Sequence, residues 1–271
     1  MNWLRLIKNI PVRFSEERSD QLAHGHADGY RRLYLSPSEW LICPDSALVV
    51  SIWRFHFFSR GGRRELKDFL DLACGCQRLF DLGASAGIFS ALFANTRSGG
   101  SVLSIEPDGK SFRLLAETAK LNQKSDMDWH LLQAVVTDKP GKVAFRSVEF
   151  GGNIVAADEG NPIESHSLES LFATSGYIPD IIKLDVESYE YDVLLGAVDW
   201  LKTHRPRLFL ELHWKQLEDR GLNPEDLLKV LSDIGYRWGS LKDFVSLARY
   251  SLDNSGVVRI PLIASPSLPQ S

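Results

Sequence analysis

Three features of the sequence predict a doubly wound α/β fold. Leu79-Phe80-Asp81-Leu82 is an apolar run that ends in a glycine-bounded turn, Gly83 to Gly87, and Ile88 to Ala94 follows with helical character. This is a strand, a tight turn and a helix, the opening of a mostly parallel sheet covered by helices. Two more apolar runs end in acids: Ser101 to Ile105 at Glu106-Pro107, and Asp180 to Leu184 at Asp185-Val186-Glu187. In open sheets of this kind ligands bind beyond the carboxyl ends of the strands, which is where these acids fall.

The elements follow in order. Residues 1–70 read as an N-terminal extension, 71–264 as the α/β domain and 265–271 as a disordered tail. In the extension, Trp3, Leu4, Leu6, Ile7 and Ile10 form a short apolar stripe expected to pack on the protein's own surface. Ser19 to Gly29 reads as loop, with His24 and His26 solvated, and Ala47 to Trp53 as either strand or helix. Arg60 to Arg64 reads as solvated, and Arg63 to Leu72 as a helix leading into the first core strand. After Glu106 come a helix from Ser111 to Asn122, a strand from His130 to Val136, a turn at Asp138 to Gly141 and a strand from Lys142 to Arg146. Glu149 to Ser165, rich in glycine and polar residues, is expected to be a mobile loop over a site. A short helix at His166 to Phe172 precedes the Asp180 strand, and a further helix is expected from Ser188 to Leu195. Arg205 to His213 is a strand with Glu211 and His213 at its exit, on one face because they are two apart. After a helix from Asn223 to Gly235, Tyr236 to Trp238, Phe244 to Ala248 and Val257 to Ile260 are expected to close the sheet as antiparallel strands.

Composition narrows the function classes. The 271 residues are 44% hydrophobic and carry a net charge of −4, which gives no drive toward nucleic-acid phosphates. No run approaches the length of a membrane span, and the charge-interrupted N-terminus does not read as a signal peptide. Three cysteines, an odd number, suit a reducing compartment, so the expected location is cytoplasmic. Cys74-Gly75-Cys76 lacks a second ligand pair, which argues against zinc.

The ligand is narrowed by the turn. Its Gly-x-x-x-Gly spacing is not the dinucleotide fingerprint. Asp81 before it would repel a phosphate and welcome an ammonium. Glu106, about 20 residues beyond the glycines, stands where nucleoside folds hold ribose hydroxyls. S-adenosylmethionine has an amino-acid end and no phosphate, and the pattern resembles motif I of class I methyltransferases that use it. Asp81, Gly83, Ala84, Ser85, Gly87, Glu106 and Pro107 are therefore the candidate cofactor residues.

Five segments together resemble the FkbM-type methyltransferases: Phe80 to Ala84, Ser104 to Pro107, Ile182 to Glu187 with Glu190, Leu195 to Ala197, and Arg205-Pro206 through His213. They fall in the family's order between about Leu79 and His213. The resemblance implies a Rossmann-like class I methyltransferase fold with an antiparallel C-terminal edge. It also implies methyl transfer from S-adenosylmethionine, usually to oxygen on sugars, polyketides or similar small molecules. Two positions depart from the pattern: Ser85 stands where the family usually has asparagine, and Ser188 where it usually has glycine.

Methyl transfer to a hydroxyl needs alignment and, for a weak nucleophile, a base. His213 is the expected base with Glu211 as its partner, and Asp185 is the second candidate. Asp185, Glu187, Glu211 and His213 are also hard ligands able to hold a divalent cation, but carboxylates at a sheet edge are expected to bind hydroxyls or cap helices, so no metal is assigned. A non-catalytic cofactor-binding subunit and a nicotinamide-dependent oxidoreductase are the alternative readings. The acceptor beyond a small hydroxyl compound, the pathway and the oligomeric state are left open.

Overall fold

A computed structural model describes residues 30–264, apart from 37–38, 47–48, 50–51, 54, 57–58, 149–151 and 242–243. The N-terminal stripe, His24, His26 and the 265–271 tail lie outside the described residues. The described chain begins with an antiparallel hairpin, β1 (Tyr30–Ser36) and β2 (Glu39–Pro44). Val49, Ile52, Trp53, Phe55 and His56 are helical, which settles the ambiguity of that segment. Helix α1 (Arg60–Leu72) starts earlier than expected because Ser59 caps it, accepting the Gly62 N–H at 2.9 Å. Its buried Leu66, Phe69, Leu70 and Leu72 lie at helical spacing and form one face.

The alternating core follows: β3 (Arg78–Leu82), α2 (Ile88–Asn95), β4 (Gly100–Ile105), α3 (Gly109–Asn122) and β5 (Met127–Leu132). Next come β6 (Val135–Val136), β7 (Gly141–Ser147), β8 (Gly152–Val155) and β9 (Asn161–His166), which pair among themselves as a separate small sheet. Helix α4 (Leu168–Ser175), β10 (Ile181–Leu184), α5 (Glu190–Gly196), α6 (Val198–His204) and β11 (Arg207–His213) return the chain to the main sheet. Helices α7 (Trp214–Asp219) and α8 (Pro224–Asp233), β12 (Tyr236–Trp238), α9 (Val245–Tyr250) and β13 (Val257–Ala264) complete it.

Among the described residues the main sheet has seven strands in the order β12-β13-β11-β10-β3-β4-β5. The five from β11 to β5 are parallel, and β13 runs antiparallel between β11 and β12. This is the class I methyltransferase arrangement with its antiparallel C-terminal edge. The chain winds outward from β3 through β4 to β5, then crosses back to β10 and β11. A crevice therefore opens between the carboxyl ends of β3 and β10. The sheet is covered on both faces by apolar cores, one including Leu168, Trp200, Leu217 and Leu228, the other Phe69, Phe89, Phe93 and Trp53. Residues of 1–70 thus contribute to the same core as the central strands.

Several expected elements differ. The run from His130 to Val136 is not one strand: β5 ends at Leu132, and Val135 and Val136 pair with β9 in the small sheet. Residues 152–165 are not a loop but supply β8 and β9, both paired with β7. Their edge positions are polar, so the local pattern carried no strand signal. Phe244 to Ala248 is not a strand. Phe244, Val245 and Ala248 are buried while Ser246 and Leu247 are exposed, which is helical spacing. The helix after Asp185 begins at Glu190 rather than Ser188.

The hairpin is tied to α3 by one side chain. Asn122 accepts the Ile42 N–H at 2.9 Å and donates to the Ile42 carbonyl at 2.6 Å. Asn122→Ala leaves both groups unpaired and should cost roughly 1–3 kcal/mol of unfolding free energy. Urea denaturation checks this; an unchanged midpoint would mean that the hairpin contributes nothing to the cooperative fold.

Candidate active site

The turn after β3 is built by backbone geometry. Gly83 has φ +77°, and a Cβ there would fall 1.7 Å from the Asp185 carbonyl oxygen, so only glycine lets β3 and β10 approach at this level. The Gly83 and Ala84 N–H groups donate to the Ile105 carbonyl at 3.0 and 2.9 Å, stitching the turn to the end of β4. Gly87, φ +84°, starts α2.

Two adjoining cavities flank this turn. The first is lined by Gly83, Ser85, Glu106 and Pro107, by the apolar Ile105, Ala134, Val135, Val136, Phe145 and Ile154, and by Asp185 and Glu187. The second lies under residues 52–56, with Trp53, Phe55, His56 and Phe89 as walls and Glu65, Lys183, Asp185, Glu211 and Arg259 as polar lining. Ile52, Ser85 and Asp185 border both. Of the seven candidate cofactor residues, Gly83, Ser85, Glu106 and Pro107 line the first cavity and Ala84 the second; Asp81 and Gly87 line neither.

Asp81 stands beneath the turn rather than in a cavity wall. It is fully buried beneath the turn, accepts the Ser90 hydroxyl at 2.5 Å and lies 3.9 Å from the Lys183 ammonium. It braces the turn, with the ammonium it meets supplied by the protein. Glu106 stands at the end of β4 as expected. Its two oxygens accept the backbone N–H groups of Ser85 at 2.8 Å and Asp108 at 2.9 Å. Burial pushes its carboxyl up to about 7 against those two bonds, with Asp108 and Asp185 adding to the rise.

Lys183, inside the segment from Ile182 to Glu187, is central to the site. Its ammonium donates to the Gly83 carbonyl and to Asp185 Oδ2, each at 3.0 Å. Burial works against its charge, but Asp185 and Asp81 hold its pKa above the ordinary value. Asp185 is correspondingly held low against burial by Lys183 and His213.

The expected Glu211–His213 couple is not formed. His213 Nδ1 is 2.9 Å from Glu190 Oε1, and Glu190 is fully buried at the start of α5, where it also accepts the Val186 and Ser188 N–H groups. His213 Nε2 faces Glu187 at 3.4 Å and Asp185 at 3.8 Å. Burial opposes its charge, but the Glu190 hydrogen bond, Asp185 and Glu187 raise it to about 10. That shift favours the protonated form near neutrality, where the ordinary pKa had suggested a neutral base. Glu211 pairs instead with Arg259, at 2.6 Å, and Arg259 also meets Glu65 and Asp253, each at 3.0 Å. Burial, Asp185 and Glu65 push Glu211 up to about 8. Arg259 and Glu65 lie far from the motifs and had no sequence signal. Glu190 belongs to the same family segment as Asp185 and Glu187.

The sequence profile of the methyltransferase FkbM domain matches residues 81–238, more than half of the chain. The chain belongs to the FkbM methyltransferase family. Among solved structures it is similar to the methyltransferase FkbM of Methylobacillus flagellatus KT, with 21% identity and a TM-score of 0.40, covering 58% of this chain and only 36% of that one. It is also similar to a putative O-methyltransferase from Klebsiella pneumoniae, 10% identical with a TM-score of 0.43 over 83% of this chain and 92% of that one. A third is the N-methyltransferase NodS from Bradyrhizobium japonicum WM9, 12% identical with a TM-score of 0.43 over 76% and 96%. These likenesses concern the fold alone. No curated protein matches the chain.

The two departures from the FkbM pattern fall on left-handed backbone. Ser85 has φ +49° and Ser188 φ +78°, and asparagine and glycine are the residues that take this region most readily. A left-handed serine costs about 1–2 kcal/mol. Glycine returns roughly 0.4–1 kcal/mol of that to the unfolded chain. Ser188→Gly should therefore stabilise by up to about 1 kcal/mol, read as a higher urea midpoint, while Ser188→Ala should gain nothing. A midpoint lowered by the glycine would refute the strain.

Proposed function

We propose that this FkbM-family chain transfers a methyl group from S-adenosylmethionine to a hydroxyl oxygen of a small molecule. The observation that carries the reading is Glu106. Each of its oxygens holds one backbone N–H, which fixes the carboxylate and leaves lone pairs on both for the two ribose hydroxyls. The apolar wall of Ala134, Val135, Val136, Phe145 and Ile154 suits a flat purine ring. The Gly83 turn lets the ligand approach the backbone closely.

The cofactor, when bound, supplies an electrophilic methyl on a sulfonium. The protein's part is alignment. Asp185, at the border of the two cavities, orients the acceptor hydroxyl entering from the second. Lys183 holds that carboxylate ionised and in place. Glu187 is about half exposed at the rim and gives the hydroxyl proton a way out to solvent as the new C–O bond forms. The second cavity, with aromatic walls over a polar lining, suits a small acceptor that carries both apolar and hydroxyl groups.

S-adenosylhomocysteine should raise the melting temperature, because a ligand of the folded state alone stabilises it. Ionised Glu106 is the form that accepts both hydroxyls, so affinity measured by calorimetry should rise with pH through about 7 and fall below it. Glu106→Gln should weaken binding by roughly ten- to a hundredfold, the value of one charge-assisted hydrogen bond, and should flatten that pH dependence. The charged groups facing Glu106 are Asp108 and Asp185, both carboxylates, which ionise well below this range. No thermal shift at saturating S-adenosylhomocysteine, or tighter binding of NADH, would overturn the assignment.

A further inference from the structure

Asp185, Glu211 and His213 each offer one ligand atom, and these atoms all lie within 4.8 Å of one another. We infer that they form a site for one hard divalent cation, magnesium or manganese, set at the border of the two cavities.

The ligand atoms are selected by their other partners. Asp185 gives Oδ2 to Lys183 and Glu211 gives Oε1 to Arg259, so each carboxylate keeps one oxygen in hand. These two cations, Lys183 buried and Arg259 half-buried, orient the carboxylates without occupying both of their oxygens.

The independent pointer is the histidine. His213 is 5% exposed, and Glu190, from a different element and outside the triad, holds Nδ1 at 2.9 Å. That bond aims Nε2 into the space between the carboxylates. Nε2 faces two carboxylate oxygens there, 3.4 Å away on Glu187 and 3.8 Å away on Asp185, both long for a hydrogen bond. Donors that share one octahedral ion at about 2.1 Å stand roughly 3.0 Å apart when adjacent and 4.2 Å when opposite. The Asp185 to His213 separation falls inside that interval and beyond hydrogen-bond range. A carboxylate that fixes the far nitrogen of a metal-bound histidine is the usual outer partner of such a ligand.

Two hard carboxylates and one imidazole suit magnesium or manganese, and the open side toward the cavities leaves room for water or an acceptor oxygen. Binding exchanges the Nε2 proton for the ion, and the proton is released. The site itself stands on the geometry. Its chemical use rests on the proposed methyl transfer, in which a cation beside Asp185 would lower the pKa of the acceptor hydroxyl.

Electron paramagnetic resonance of manganese added to EDTA-treated, cofactor-free protein tests the site. One manganese per chain, displaced by magnesium, is expected. His213→Ala and the near-isosteric Glu211→Gln should each weaken binding at least about tenfold. S-adenosylhomocysteine should still raise the melting temperature of both variants, which shows that they are folded. If His213→Ala does not fold, Glu211→Gln alone decides. Wild-type protein that binds no manganese at millimolar concentration, or folded variants that bind it unchanged, would overturn the inference. Cofactor binding without manganese binding would reject the ion and leave the methyl-transfer reading standing; manganese binding without cofactor binding would do the reverse.

Discussion

The ammonium of Lys183 is the interaction on which the site depends. It lies at the end of β10 and reaches across to β3, where it meets the Gly83 carbonyl and approaches Asp81, while also holding Asp185 on its own strand. Without it, two carboxylates would face each other in a buried crevice. Breaking such a buried pair costs about 3–5 kcal/mol, because the partner is left as an uncompensated charge. The same Gly83 sits where no side chain would fit against the Asp185 backbone, so the two strands approach closely at the level of the ammonium. Fold stability and site geometry thus share one group.

Around that ammonium the acids divide by what holds them. Asp81 and Glu190 are fully buried and serve to brace: Asp81 accepts from Ser90, and Glu190 gathers two backbone N–H groups and His213. Glu211 is tethered through Arg259 to α1 and to the loop before β13. Glu106, Asp185 and Glu187 line the first cavity, and Asp185 also borders the second. His56, with its pKa lowered to about 4 by burial and by Lys183 and Arg259, is a neutral polar group in the second cavity. Among the described residues no helix is long and apolar enough to cross a membrane.

Much of this was legible in the sequence because it is local. A glycine turn after an apolar strand, and acids at the ends of three strands, need only a few adjacent residues to be seen, and Gly83, Glu106 and Asp185 stand where that pattern placed them. The pairing of charges was not legible. Period two put Glu211 and His213 on one face, but their hydrogen bonds go to Arg259 and Glu190, which the strand pattern could not indicate. The cation beside Asp81 was hidden for the same reason, since it arrives from a strand about a hundred residues later. The small sheet of β6 to β9 was hidden because its strands are short, polar at the edge and stabilised by pairing rather than by pattern. The Phe244 segment shows the converse: its burial period is helical, but over so short a run the apolar residues also suit an extended strand.

The central claim is that the first cavity holds the cofactor with its reactive end at Asp185. A crystal structure of the protein with S-adenosylhomocysteine bound tests this most directly. The account predicts the ribose hydroxyls on Glu106, the purine against Val135 and Phe145, and the thioether sulfur turned toward Asp185 and the second cavity. Adenosine lodged beneath Trp53 and His56, or a ribose held away from Glu106, would contradict it.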